Sequence, residues 1–213
     1  MNFQRGSEWR KWDLHFHTPS SYDYENNGIS NREIIDCLIK AEIALVVITD
    51  HHCIDVSRIK ELRKLAQGRI TILPGIEFRS ELGGSDSVHF IGIFPENDDK
   101  PEDLNTLWTH LQGALKIAPS DVEKKGKDAF YCDFKNTAEI IHKEGGLVSV
   151  HAGRKSNSLE NIRNAQKSKM QLKTDMLNEY IDILEVNRGE DVNDYRNIVF
   201  PSVGRKLLIV VGS

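Results

Sequence analysis

The sequence predicts an α/β fold in which a parallel sheet is covered by helices. Short apolar runs alternate with amphipathic helical patterns along the chain. Two runs, 44–49 (ALVVIT) and 207–211 (LLIVV), are almost uniformly apolar, which is typical of strands covered on both faces. Strand–helix–strand connections of this kind are right-handed and join parallel strands. About seven strands therefore predict either a barrel of the TIM type or an open sheet.

The individual elements are predicted from their periodicity and their boundaries. Strand candidates, bounded by turn residues, are 13–17, 44–49, 70–76, 88–94, 147–151, 182–187 and 207–211. Helix candidates, with apolar residues every three or four positions, are 31–42, 56–67, 102–115 and 136–144. Ser30 or Asn31 can cap the first helix, and Gly68 and Gly145 can end two others. The polar segment 158–178 is predicted to be helical with an exposed face.

Composition indicates one globular domain that spans residues 1–213. The chain is 39% hydrophobic and 28% charged, and its net charge of -4 gives no bulk attraction to nucleic acid or to an anionic membrane. Any polyanionic substrate would need a local basic patch. Its cysteines are odd in number and lack paired spacing, which fits reduced thiols. Without a signal-peptide pattern or a membrane-spanning run, we expect a cytoplasmic protein with no membrane partner.

The stretch 12–23 (WDLHFHTPSSYD) places two histidines one residue apart on a predicted strand. Residues i and i+2 of a strand share a face, so Asp13, His15 and His17 project together. Further ligand-type residues follow the other strands, namely Asp50, His51, Glu77 and His151. Because the carboxyl ends of parallel strands meet at one edge of the sheet, these side chains are expected to converge there. The sequence therefore predicts a metal site.

The residue types indicate the chemistry of that site. Imidazole and carboxylate ligands suit zinc, manganese or iron, and a carboxylate such as Glu77 can bridge two cations. Two bridged cations can clamp a phosphoester and activate a bound water. The sequence contains neither a Cys-x-x-Cys pair nor a Gly-rich phosphate-binding loop. A structural thiolate zinc site and P-loop nucleotide hydrolysis are therefore not predicted.

Five ordered motifs carry a resemblance to a known family. The segments DLHFHTPSS, ITDHH, PGIEF, VHFIGI and VSVHAGR, in this order, resemble the PHP (polymerase and histidinol phosphatase) family of metal-dependent phosphoesterases. The start, WRKWDLHFHTPSSYD, is similar to the N-terminal PHP domain of TrlF-type proteins, in which that domain precedes an ATPase. The resemblance implies a distorted (βα)7 TIM-like barrel, and it names an ATPase domain or subunit as a partner.

The same resemblance implies two or three divalent cations (Zn, Mn or Fe) and a set of ligands. His15 and His17 would hold one cation, and Glu77 would bridge it to a second. His89 and His151 would complete the second cation, and a third would be held by His51. Asp50 would ligate or orient, whereas His52 is the weaker candidate of its pair. His89 opens its predicted strand instead of ending it, so it is included on the motif alone.

Two departures from the family pattern bear on the number of cations. The position five residues after His17 is usually acidic or histidine, but it is Tyr22 here, with Asp23 one position late. The family also closes its site with an Asp-x-His motif, which is expected just beyond Ser213. We therefore expect that the chain as given binds metal incompletely and is weakly active or inactive.

Several residues near the strand ends are candidates for substrate binding and catalysis. Arg79, Arg154 and Arg188 follow strand ends by a few residues, where a guanidinium can hold a phosphate with two hydrogen bonds. Arg154 is the foremost of them because it follows the HAG segment directly. Glu185 ends the sixth predicted strand and is expected to orient a metal-bound histidine, a role that is open to Asp13 as well.

The function predicted from the sequence is metal-dependent hydrolysis of a phosphoester by activated water, in a phosphatase or a nuclease. Nucleic acid and small phosphoesters both remain open as substrates, because one metal centre serves either. A different class stays open too: a catalytically incomplete PHP module that supports or regulates a partner ATPase. Hydrolysis of a carbon–nitrogen bond ranks last, because the sequence lacks the expected carbamylated-lysine or aspartate strand end.

Overall fold

The computed structural model describes residues 9–26, 28–83, 87–96, 103–118, 120, 130–162 and 166–212. In these ranges one sheet of seven strands follows the chain order β1 to β7. The strands are Lys11–Phe16 (β1), Ile43–Ile48 (β2), Thr71–Gly83 (β3), Ser87–Ile93 (β4), Leu147–His151 (β5), Ile183–Val186 (β6) and Leu208–Val211 (β7). The α/β class and the predicted strands are confirmed, although β3 runs seven residues past its predicted end.

Helices connect most of these strands. They are Asn31–Lys40 (α1), Val56–Ala66 (α2), Asp103–Leu115 (α3), Phe134–Lys143 (α4), Gln166–Asp175 (α5), Gly189–Asp194 (α6) and Phe200–Val203 (α7). Short turns of other helical types span Leu159–Asn161, Met176–Tyr180 and Tyr195–Val199. The predicted cap at Ser30 is confirmed, since its hydroxyl accepts from the backbone N–H of Glu33 and the Glu33 carboxylate returns a bond to Ser30. The carboxylates of Asp55 and Asp133 cap α2 and α4 by accepting from the backbone N–H groups of Arg58 and Asn136.

The sheet is mixed, because β4 runs antiparallel to both of its neighbours. The other neighbouring strands pair in parallel, as the sequence predicts. The prediction of an entirely parallel sheet was therefore wrong for β4. Its direction has a simple cause: only 84–86 separate β3 from β4 in the sequence, and a parallel connection needs a crossover of about a dozen residues.

The sheet is curled into a barrel-like wall. The His15 Nδ1 atom on β1 lies 3.0 Å from the Glu185 Oε2 atom on β6. A flat sheet would separate these strands by five spacings of about 4.8 Å, or about 24 Å. Of the two sheet types predicted from the sequence, the structure therefore has the curled, barrel-like one and not the open flat one. The order of the described strands leaves β1 and β7 at its two edges.

Two apolar clusters fill the two faces of this wall. The larger cluster lies between the sheet and the helices and includes Phe78, Phe90 and Phe134. The smaller cluster contains Val47, Ile91, Ile93 and Ile183. Ile91 is two residues from His89, and Ile183 is two residues from Glu185, so these pairs share a face of the sheet. The smaller cluster is therefore the apolar floor beneath the polar residues described next.

None of the helices in the described residues is both long enough and apolar enough to span a bilayer.

Candidate metal centre

The first residues of the centre lie at the carboxyl end of β1. The pairing of β1 with β2 becomes irregular between Asp13 and Phe16, where the backbone N–H of His15 bonds to the Asp13 carboxylate at 3.1 Å. Beyond the strand, Asp50 accepts from both the backbone N–H and the hydroxyl of Thr18, at 2.6 and 2.7 Å. These bonds fix the chain on both sides of the two histidines.

Glu77, on β3, is the centre of the cluster and is only 1% exposed. Its Oε2 atom lies 2.9 Å from Nε2 of His15, 3.0 Å from Nε2 of His17 and 3.5 Å from Nε2 of His51. Its Oε1 atom lies 2.6 Å from Nδ1 of His89 and 3.9 Å from Nε2 of His151. Five imidazoles therefore converge on one carboxylate, with three on one oxygen and two on the other.

The direction of β4 explains how His89 joins this cluster. His89 lies near the start of its strand, whereas the other histidines lie at or just after strand ends. Because β4 is antiparallel, its start lies at the same edge of the sheet as the carboxyl ends of the parallel strands. The feature that had no explanation in the sequence is thus a direct result of the topology.

A second group forms where β1 and β6 meet. The Glu185 carboxylate lies 3.0 Å from Nδ1 of His15 and 3.6 Å from Nε2 of His151. With its Nε2 toward Glu77, His15 donates its Nδ1–H to Glu185, which is the carboxylate–histidine contact that orients metal ligands. The ammonium of Lys155 also bonds to Glu185. Lys155 was not singled out in the sequence, because nothing in its loop indicates that it turns toward β6.

A third group lies on the outer side of His17. Its ligand-type members are His17, Asp23 and His51, and the Asp23 Oδ1 atom lies 3.4 Å from Nδ1 of His51. Ser21 lies among them, with its hydroxyl within 3.0 Å of all three side chains. Asp23 thus reaches the cluster although it stands one position later than the family pattern. The turn after β1, closed by a bond from Ser21 N to Thr18 O, brings it there.

The charges of the cluster favour a cation. Burial would raise the pKa of Glu77, but the attraction of His15 and hydrogen bonds from His15, His17 and His89 hold that pKa well below its ordinary value. Burial likewise opposes ionisation of Glu185, yet contacts with His15 lower its pKa to about 2. Burial also disfavours a charged His15, but Glu77 and Glu185 together raise its pKa to about 10. Both carboxylates are therefore ionised at neutral pH and attract positive charge.

The donor atoms fit a divalent cation. Nε2 of His15, Nε2 of His17 and Oε2 of Glu77 form a triangle with sides of 2.9, 3.0 and 3.0 Å. Ligands of a tetrahedral zinc, with bonds of about 2.0–2.1 Å, lie about 3.3 Å apart. Nε2 of His51 is buried and, within the described part of the chain, has no hydrogen-bond partner, although it faces Glu77. Among the described residues, four triads of ligand atoms lie within 4.8 Å, and they include all six predicted ligands together with Asp23 and Glu185.

Other candidates lie around the cluster. The oxygens of Asp50 are directed at Thr18, and the Arg154 side chain, 53% exposed, pairs with Glu190 and Asp191. Arg79 is buried two residues after Glu77, with its guanidinium 5.1 Å from the ring centre of Tyr131. His52 is buried, has a left-handed φ of 61° and packs against Tyr22 and Phe130. Arg188 is exposed and lies just before α6.

Known structures share this fold. A candidate metal-dependent phosphoesterase from Bifidobacterium adolescentis superposes with a TM-score of 0.60 at 15% identity, over 96% of this chain and 87% of its own. A two-domain protein from Bacteroides vulgatus, which contains a predicted PHP-like metal-dependent phosphoesterase, superposes with a TM-score of 0.55 at 13% identity. That match covers 97% of this chain and 56% of the other. No family model and no curated protein matches the sequence. The chain therefore has the fold of PHP-like phosphoesterase structures.

Proposed function

We propose that this protein is a metal-dependent phosphoesterase that hydrolyses phosphoester bonds with a metal-activated water. The observation that carries the proposal is the convergence of five imidazoles on the buried, ionised carboxylate of Glu77. A carboxylate with ligand nitrogens at both oxygens is suited to bridge two cations. Two or three divalent cations, of zinc, manganese or iron, are the proposed cofactors.

The ligand roles follow from which nitrogen faces which oxygen. His15, His17 and His51 are proposed to hold one cation with Oε2 of Glu77, and His89 and His151 to hold a second with Oε1. When bound, such cations polarise the phosphoryl oxygens and lower the pKa of a ligated water from about 15.7 toward about 7. Glu185 orients His15, and Asp50 holds the chain after His17 through Thr18.

The side chains proposed to bind substrate are basic. The Arg154 side chain is 53% exposed and is therefore accessible to a substrate. The Lys155 side chain is 14% exposed and contacts Glu185 of the cluster. Arg154 is proposed to contact the substrate phosphate after exchange of its ion pairs with Glu190 and Asp191. In Arg154→Ala we expect a higher KM for a phosphoester with metal content unchanged. An unchanged KM would remove Arg154 from the substrate site.

Both a small phosphomonoester and the diester of a nucleic acid remain candidate substrates. An ATPase partner is proposed only because the N-terminal motif is similar to that of TrlF-type proteins. Hydrolysis of p-nitrophenyl phosphate and of bis-p-nitrophenyl phosphate, each with added Mn²⁺, separates monoesterase from diesterase activity. An active diesterase would then be tested on single-stranded RNA and DNA.

The test of the metal centre compares wild type with Glu77→Gln, which keeps the size of the side chain and removes its charge. We expect about two equivalents of transition metal in the wild type and a sharp fall, with loss of hydrolysis, in the variant. Glu42→Gln is the matched control, because Glu42 is exposed and lies outside the cluster. Absence of metal from the wild type, even after loading, would contradict the proposal and favour a structural module.

A further inference from the structure

The hydroxyl of Ser21 occupies the middle of the third group of side chains. Its Oγ atom lies 3.0 Å from Nδ1 of His17, 2.9 Å from Nδ1 of His51 and 2.8 Å from Oδ1 of Asp23. The backbone N–H of His51 makes a longer contact with it, at 3.3 Å. Ser21 itself is only 3% exposed. One buried hydroxyl therefore touches two predicted metal ligands and a carboxylate.

The number of protons settles the direction of these bonds. A hydroxyl has one proton to donate and two lone pairs with which to accept. The carboxylate of Asp23 can only accept, so the hydroxyl proton is directed to Asp23. Both imidazoles must then donate, which places a proton on Nδ1 of His17 and on Nδ1 of His51. All three strong contacts of the hydroxyl are satisfied only in this arrangement.

The opposite nitrogens of the two rings are directed at the same carboxylate oxygen. Nε2 of His17 lies 3.0 Å and Nε2 of His51 lies 3.5 Å from Oε2 of Glu77. In the residues that the structure describes, Nε2 of His51 has no hydrogen-bond partner. In the neutral form of each ring, which is the form that ligates a metal, a proton on Nδ1 leaves the lone pair of Nε2 directed toward Glu77. Two lone pairs and a carboxylate that face one another repel, and a cation between them would remove that repulsion.

We propose that Ser21 is a positioning residue that fixes the tautomer of His17 and His51 through one hydroxyl, so that both ligate a cation through Nε2. The inference rests on the metal centre of the proposed function. In this proposal the third group, His17, Asp23 and His51, does not bind a cation of its own, because the Ser21 hydroxyl lies between its three side chains. Asp23 then orients Ser21 and is not itself a metal ligand in this chain.

The loop that carries Ser21 is held in a way that suits this role. Both oxygens of Asp50 bind Thr18, and the turn from Thr18 to Ser21 closes with a bond from Ser21 N to Thr18 O at 2.9 Å. The hydroxyl of the preceding residue, Ser20, donates to Asp55 and accepts from Arg58 instead. Two adjacent serines thus lie in the same loop, and only one of them touches the imidazoles.

The direct test is the tautomer itself. Long-range ¹H–¹⁵N spectra of ¹⁵N-histidine-labelled wild-type protein loaded with Zn²⁺ distinguish a protonated, a metal-bound and a free ring nitrogen. We expect His17 and His51 to show a protonated Nδ1 and a zinc-bound Nε2, with assignments from His17→Gln and His51→Gln. Zinc bound to Nδ1 of either ring would overturn the proposal.

Variants supply a second readout that does not depend on activity. In Ser21→Ala we expect the affinity for Zn²⁺, measured by chelator competition, to fall by about tenfold to hundredfold. Ser21→Thr keeps the hydroxyl and is expected to restore most of the affinity. Ser20→Ala is the matched control, because it removes a hydroxyl from the same loop without touching an imidazole. An equal fall in Ser20→Ala would assign the effect to the loop and overturn the specific role of Ser21.

The outcomes separate this inference from the proposed function. Failure of the wild type to bind Zn²⁺ would overturn both. Normal Zn²⁺ binding by the wild type together with unchanged affinity and unchanged tautomers in Ser21→Ala would overturn the role of Ser21 alone. If Ser21→Ala does not fold, as judged by circular dichroism, the spectra of the wild type still decide the question.

Discussion

At the scale of single residues, the ammonium of Lys155 opposes a cation in the cluster through Glu185. Its ammonium bonds to Glu185, whose carboxylate also contacts His15 and lies 3.6 Å from His151. Lys155→Met keeps most of the length of the side chain and removes its charge, so the negative charge of Glu185 is no longer offset by the ammonium. At the effective dielectric of a protein surface we expect about tenfold tighter Zn²⁺ binding.

Chelator competition measures this change, and Lys64→Met is a suitable control because Lys64 is exposed on α2. Equal affinities of wild type and Lys155→Met would show that the ammonium leaves Glu185 without cost when metal binds. Weaker binding in Lys155→Met would contradict the prediction outright.

The three cysteines give a residue-scale check of the fold itself. Cys37 is exposed on α1, whereas Cys53 and Cys132 are buried. Burial also raises the pKa of the Cys132 thiol to about 12, so its reactive thiolate is absent at pH 8. We expect one thiol to react quickly with Ellman's reagent in the native protein and three in denaturant. Two or more fast thiols in the native state would contradict the described packing.

At the scale of elements, the sequence predicted most residues of the cluster around Glu77 because strand ends carry a clear signal. The spacing of His15 and His17 predicted that they converge, although β1 ends at Phe16 and is irregular before it, so the end of the strand and not its period brings both to Glu77. Glu77 follows a recognisable apolar run. The direction of β4 could not be predicted from that run, since periodicity is the same for parallel and antiparallel strands. The position of Asp23 depends on the turn after β1, and hydrophobic patterning does not encode the conformation of a turn.

The capping box of α1 makes a quantitative prediction about one element. Ser30→Ala removes the acceptor for the backbone N–H of Glu33 and leaves one end of the helix without its side-chain cap. We expect a loss of about 1 kcal/mol in the free energy of unfolding, measured by urea denaturation with an unchanged m-value. Ser57→Ala is the control, because the Ser57 hydroxyl makes an exposed bond to Asp55 and does not accept from a helix N–H. A loss in Ser57→Ala as large as in Ser30→Ala would argue against the cap as the cause.

At the scale of the whole molecule, the candidate metal centre joins parts of the chain that are distant in sequence. His15 on β1 contacts Glu77 on β3 and Glu185 on β6, and the contact with Glu185 spans 170 positions along the chain. These contacts exist only when the sheet is curled, so a cation that needs them binds the folded state and not the unfolded chain. Metal binding and stability of the curled sheet are therefore linked.

This linkage predicts a thermal shift. A cation at about 100 times its Kd adds about 2.7 kcal/mol to the free energy of unfolding. For a domain of about 200 residues, 1 kcal/mol corresponds to about 2–4 °C in Tm, so we expect a rise of about 5–10 °C when saturating Zn²⁺ or Mn²⁺ is added to chelator-treated protein. Differential scanning calorimetry measures the shift, and Glu77→Gln should lose most of it while Glu42→Gln keeps it. The same shift in Glu77→Gln as in wild type would mean that the cation binds elsewhere, because Glu77 is the one carboxylate that all five imidazoles face among the described residues.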